Sequence, residues 1–345
     1  MNNRSYFRYE FLVFELMRYI DITHLLNTTK VLKKVKKMFI YRKLNKKYSL
    51  EYYNNQSFRA IIHDSINNPN KQICLNLRFR QKNTDIVDVS ALGNVHTLYL
   101  SNCTNITDIS ALGNVHTLDL SFCDKITDVS ELSILGKVHT LYLNCCNGIT
   151  DVSSLGYVHT LHLRYCHGIT DVSSLGNVHT LNLEECKKIT DVSALGNVHT
   201  LNLIWCHNIV DVSALGNVHT LQLSHCKNIT GVSALGNVHT LKLNGCNNIT
   251  DVSALGEVHI LDLIWCSNIT DVSALGNVHT LHLCSCHNIS DVSALGNVHT
   301  LKLNDCDKIT DVSDLSILGN IHTLYFNGCE NISDVSSLGN VHIFQ

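Results

Sequence analysis

Val178-His179-Thr180-Leu181-Asn182-Leu183-Glu184-Glu185-Cys186-Lys187-Lys188-Ile189-Thr190-Asp191-Val192-Ser193-Ala194-Leu195-Gly196-Asn197 is one copy of a unit that fills the chain from Val95 onward. Copies start at Val95, Val115, Val138 and Val158 and continue to Ile321, with a last partial copy at Val341. A period of 20 residues marks a solenoid, a stack of coils in which each coil touches only its neighbours. Numbering each coil from its Val, positions four and six (Leu98, Leu100) alternate as a short strand with an apolar inner side. Positions twelve, fifteen and eighteen (Ile106, Ile109, Leu112) return to the same interior. Gly113 and Asn114 are expected to turn the chain into the next strand through their tolerance of unusual backbone angles. One coil cannot bury this set alone, so stacking must place Leu on Leu and Val on Val.

These residues resemble the leucine-rich repeat, whose signature stands here as Val-x-x-Leu-x-Leu-x-x-Cys-x-x-Ile from about Leu75 to Phe344. The Ile-Thr-Asp-Val-Ser-x-Leu-Gly-Asn half is similar to bacterial internalin-type repeats, and the Cys to the cysteine-containing repeats of ubiquitin-ligase adaptors. The resemblance implies an α/β solenoid with a parallel sheet on its concave face and turns or 3-10 pieces on its convex face. About 12–13 repeats would occupy residues 71–345, and residues 1–70 would form a basic helical segment. The near-perfect copies and the Asn-, Ile- and Lys-rich usage also resemble proteins of large DNA viruses of amoebae.

Two units are longer, through Ser133-Ile134-Leu135 and Ser316-Ile317-Leu318. The similar blocks Asp128 to Tyr142 and Asp311 to Tyr325 point to duplication of a multi-coil segment. The degenerate unit Ile73 to Leu77 is expected to cap the array, and the last strand, Val341 to Gln345, to leave an edge open to pairing.

Charge divides the chain near Pro69. Residues 1–71 hold 14 Lys/Arg against 5 Asp/Glu, and residues 72–345 hold 12 against 24. The acidic array disfavours nucleic acid along the coils, and the basic run Lys30 to Lys47 reads first as a solvated helix face. No apolar run approaches a membrane span, and Phe11 to Met17 is too short and too acidic for a secretory leader, so an intracellular, cytoplasmic protein is expected, in the host cell if viral. Twelve of the fifteen cysteines share position nine, an arrangement that reads as buried free thiols rather than disulfides.

His recurs thirteen times at position two, from His96 to His342. A metal-binding strip competes with a scaffold role. A ladder that singles out no ligand set favours the scaffold, and no metal or cofactor is expected. The Asp row (Asp108, Asp151 and equivalents) is expected to bond backbone N–H groups at the convex turn.

Function is sought where coils differ, at positions five, seven, eight, ten and eleven. Position five lies between inward leucines and is expected to point out from the sheet. The candidate protein-binding residues are Tyr99, Phe122, Tyr142, Arg164, Tyr165, Trp205, His225, Lys242, Trp265 and Tyr325. The Ile204-Trp205 and Ile264-Trp265 pairs hold the only two tryptophans, three coils apart, and look like interface anchors. No nucleophile–base pair or phosphate loop stands out, so no enzyme activity is expected.

Residues 6–40 carry helical apolar spacing. Tyr19 to Lys33 resembles the F-box core. The resemblance implies that Leu16, Ile20, Leu25, Leu26 and Val31 dock on a Skp-type adaptor of a cullin–RING ubiquitin ligase. A helical cap over the first coil is the alternative, and a nucleic-acid role for the basic head the third.

Overall fold

The computed structural model describes residues 41–65, 72–127, 133–310, 312, 321–329, 331 and 341–344. The residues Leu16 to Val31 that resemble an F-box, and the second insertion at Ser316, lie outside the described residues. Contacts divide the chain into two units, one running to Leu77 with Val95–Leu98, the other holding Arg78–Asn94 and Tyr99 onward.

In the first unit, strand β1 (Tyr41–Lys43) pairs in parallel with β2 (Gln72–Asn76). Helices α1 (Lys46–Asn54) and α2 (Gln56–Ser65) lie between them in the chain. Asn45 and Asn55 open the two helices, their side-chain oxygens accepting from the Tyr48 and Phe58 N–H groups at 3.0 and 3.1 Å. The buried Tyr52, Phe58, Ile62, Leu75 and Leu77 make its core. Ser49 ties helix to strand, donating to the Leu44 carbonyl and accepting from Asn76 N–H at 2.9 Å. The sequence reading missed β1, because three residues without alternation carry no periodic signal.

The second unit is the repeat array. Its strands run from β3 (Thr117–Asp119) to β14 (His342–Phe344), each parallel to the next and in strict chain order. The register is exact to the coil: Leu181 faces Leu201, which faces Leu221. The inward Leu, Val, Ile and Cys residues of the central coils are essentially without solvent contact. At about 25 cal/mol for each Å² of apolar surface removed from water, this interior is what holds the stack together.

The other half of each coil is a chain of tight turns. In one coil Cys206 N–H donates to the Leu203 carbonyl, Ile209 to Cys206, Leu215 to Val212 and Val218 to Leu215, at 3.0–3.3 Å. The last two bound a short 3-10 turn starting at Ser213. Asp211 sets it up by accepting the Ser213 N–H at 2.8 Å, and Asp108, Asp151, Asp171, Asp191, Asp251, Asp271 and Asp291 do the same in their coils. That bond holds the Asp211 carboxyl below the usual carboxylate range. One coil lacks the device: Gly231 occupies the Asp position, and a side chain there would meet no atom within 4 Å. Gly231→Asp is therefore expected to add about 0.5 kcal/mol to unfolding stability, measured by urea titration. A loss instead would show that repulsion from neighbouring Asp residues outweighs the bond.

The glycine at position nineteen corrects the sequence reading. Gly216, Gly236 and Gly256 sit in ordinary right-handed helical geometry, with φ near −60°. Their constraint is space. A Cβ on Gly216 would fall 2.3 Å from the Ala234 carbonyl oxygen of the next coil. Neighbouring coils approach too closely there for any side chain.

The cysteines form a buried internal ladder in which, from Cys123 to Cys329, the thiols donate to a leucine carbonyl of the preceding coil, as Cys226 does to Leu203 at 3.1 Å. Burial pushes the Cys166, Cys186, Cys246 and Cys266 thiols up to about 12. Iodoacetamide at pH 8 is expected to label only the half-buried Cys145 and Cys284 in the folded protein, both outside the ladder, and all fifteen in urea. Mass spectrometry that finds native ladder cysteines alkylated at a similar rate would show that the coils open readily.

Candidate functional site

Position eight is where the coil leaves the sheet, and its backbone is unusual. Asn102, Phe122, Cys145, Tyr165, Glu185, Trp205, His225, Trp265, Ser285 and Asp305 all lie at φ between 56° and 68°, in the left-handed region, and Gly245 and Gly328 join them. The hydrogen bonds give the reason. The position-eight N–H must still reach the next coil, as Trp205 does to the Ser224 carbonyl at 3.0 Å. The following Cys206 must already turn back to Leu203. One left-handed residue meets both demands. For residues other than Gly and Asn this costs roughly 1 kcal/mol or more. The sequence reading missed this, although Asn102, Gly245 and Gly328 at the same position carry the signal.

Several of these strained side chains are large, apolar and in contact with solvent, Trp265 at 54% exposure and Phe122 and Tyr165 somewhat less. Trp205 is half-buried rather than fully exposed. The His225 ring stacks on the Trp205 indole at 4.0 Å between centroids, 12° from parallel. His207 meets the same indole edge-on at 5.5 Å and bonds the His225 carbonyl through Nδ1 at 2.9 Å. On its other side the His225 ring lies 6.2 Å from the Trp265 indole, tilted by 40°. It reaches across Gly245, where a Cβ would stand 2.6 Å from His225 Nδ1. The two tryptophans, far apart in sequence, thus become one aromatic cluster. Burial, then the Lys227 charge and His207, holds His225 below its ordinary pKa, which keeps the ring neutral at pH 7.

The position-five row runs alongside but is less open than expected. Tyr142 stacks on His162 at 4.5 Å. The Arg78 guanidinium lies 3.9 Å over the Tyr99 ring and pairs with Asp119 at 2.7 Å. Lys242 and His282 flank Asp262 at 3.3 and 2.5 Å, and Lys302 lies 5.0 Å over Tyr325. The carboxylates depart most from that expectation: Asp119 and Asp262 are 4% and 5% exposed, covered by the Arg78, Lys242 and His282 side chains beside them. Burial alone would raise the Asp262 pKa. The His282 hydrogen bond and the His282 and Lys242 charges outweigh it and hold the carboxyl below its usual range. Arg164 pairs with Glu184 at 2.7 Å and lies 5.6 Å from the Tyr165 ring. The structure therefore gathers Trp205, His225 and Trp265 into one cluster of rings, and leaves Tyr99, Phe122, Tyr142, Arg164, Tyr165, Lys242 and Tyr325 along the rest of the row.

On the opposite flank of the sheet stand the histidines. From His116 to His342 the rings form an unbroken file with centroids 4.5–5.0 Å apart. Most have Nδ1 against the next Thr hydroxyl, as in His179 with Thr180 at 3.2 Å. Among the described residues no group of three His, Cys, Asp or Glu is placed to hold a metal ion, and no helix is long and apolar enough to cross a membrane.

The chain folds as a leucine-rich-repeat solenoid. The solved structures it is similar to include an internalin, InlF, from Listeria monocytogenes str. 4b F2365, at 24% identity and a TM-score of 0.52, covering 79% of this chain and 80% of that one. Two others are the functional domain of InlJ from Listeria monocytogenes, described as including a cysteine ladder (18%, 0.42, 74% and 66%), and a leucine-rich-repeat protein of Leptospira interrogans (17%, 0.39, 79% and 95%). No family model and no curated protein matches the sequence.

Proposed function

We propose that the protein is a non-enzymatic recognition scaffold that binds a protein partner along positions five, seven and eight of its coils. The observation that carries this reading is the division of labour within the unit. Interior positions are the same in nearly every coil, while Tyr99, Phe122, Tyr142, Arg164, Tyr165, Trp205, His225, Lys242, Trp265 and Tyr325 vary along one continuous outer strip. Aromatic and Arg side chains of this kind dominate binding energy at protein interfaces. Full-length protein on a column is expected to retain a specific protein partner. Changing Tyr142, Arg164, Tyr165, Trp205 and Trp265 together to Ala should weaken that binding more than tenfold without lowering the unfolding midpoint. A partner held equally by both forms overturns the assignment to this strip.

A narrower reading, a substrate-selecting adaptor of a cullin–RING ubiquitin ligase, rests on the F-box-like residues Leu16, Ile20, Leu25, Leu26 and Val31 alone. It requires full-length protein to capture a Skp-type adaptor and to lose it on Leu25→Asp. Without such capture, the plain binding module is the function.

A further inference from the structure

The geometry points to the Trp205–His225–Trp265 cluster as a docking site for an acidic peptide segment with an apolar side chain at its centre. This deepens the scaffold reading and rests on it.

Three observations converge. The cluster is continuous, Trp205 to His225 to Trp265 in ring contact over four coils, because Gly245 removes the side chain that would interrupt it. It is held at a cost to the fold. Trp265 occupies a left-handed backbone position with φ 61°, where Gly or Asn would be at ease, and more than half its surface faces solvent. Every coil needs a left-handed residue at this position, but neither burial nor local geometry favours a tryptophan in it. The third observation is the charge at its border. Carboxylates nearby are paired with cations: Glu184 with Arg164, Glu185 with Lys187, and Asp262 with Lys242. The cation Lys227 is exposed, has no ion-pair partner among the described residues and lies close enough to act on His225. An apolar platform bordered by an unpaired lysine, its neighbouring carboxylates already paired, complements a peptide of acidic residues around one aromatic or aliphatic anchor.

The test is a selection from a random 15-residue peptide library displayed on phage, run at pH 7.4 against the full-length protein. Enriched peptides should carry Asp and Glu around an apolar residue. They should bind Trp265→Gly and Lys227→Glu at least tenfold more weakly. Both tryptophans of the chain belong to the cluster, so peptide binding should change the intrinsic fluorescence saturably. Trp265→Gly relieves the strained backbone and should unfold at the same temperature as the parent or higher, which separates lost binding from lost folding. Enrichment of neutral or basic peptides, equal binding to both variants, unchanged fluorescence, or no enrichment overturns the proposal. Peptides that bind elsewhere on the strip, lost with Tyr142→Ala and kept with Trp265→Gly, would overturn this site and leave the scaffold reading standing.

Discussion

Gly216→Ala is expected to lower the unfolding free energy by about 1–3 kcal/mol, the usual cost of forcing a group into a packed interior. The substitution is conformationally harmless, since Gly216 has the right-handed geometry that Ala favours. The whole loss comes from the Cβ, 2.3 Å from a backbone oxygen in the next coil, an atom that can retreat only if the coil retreats. The matched control is Gly231→Ala, where the same methyl meets no atom within 4 Å. It should be neutral or slightly stabilising, because Ala has less freedom to lose in the unfolded chain. Urea unfolding of the two variants side by side decides the point. Equal stability would mean that coil spacing on this flank is set elsewhere and that the repeated glycine has another explanation.

Acid should weaken the array well before its carboxylates titrate. His139, His179, His239 and His279 have pKa values below the ordinary imidazole value, first because neighbouring atoms displace water and then because the two flanking imidazoles disfavour a charge. A base whose folded pKa is lowered contributes stability that is fully present above its unfolded value of about 6.5 and is lost as pH falls below that value toward the folded one. The Asp row has lowered pKa values too, as at Asp171 and Asp191, but that contribution disappears only below about pH 4. The histidine window therefore opens at higher pH than the Asp window. The urea midpoint is expected to fall between pH 7.5 and 5.0. Added salt should reduce the fall, since these rings are exposed and their repulsion is screened. His199→Asn with His219→Asn should flatten the dependence by interrupting the file. A midpoint constant over this range would show that the stacked rings accept protons without penalty.

The interior was legible from sequence because repetition reveals it. Leu181, Leu183 and Ile189 recur with neighbours 20 residues away, so the same letters define both the coil and what it stacks against. The thiol register and the Asp-capped turn were readable for the same reason. Three features were not. The close approach at Gly216 depends on the distance between coils, and letters state no distance. The left-handed residue at position eight is hidden by its occupants, since Trp205 and Trp265 resemble strand residues more than turn residues. The aromatic cluster needs His225 to lean across Gly245, a contact between side chains from different coils that appears only once register and backbone angle are both known. The candidate residues were therefore read from the sequence as a strip, while the grouping of Trp205, His225 and Trp265 came from the structure.

The strict coil-by-coil register has an evolutionary corollary. Adding or deleting one whole unit slides the lettering on one side of the junction along the array by a single strand step, about 4.8 Å, and restores every interior contact. The outer strip of such a molecule can be rewritten by unequal recombination between near-identical copies, in discrete increments, without passing through an unstable intermediate.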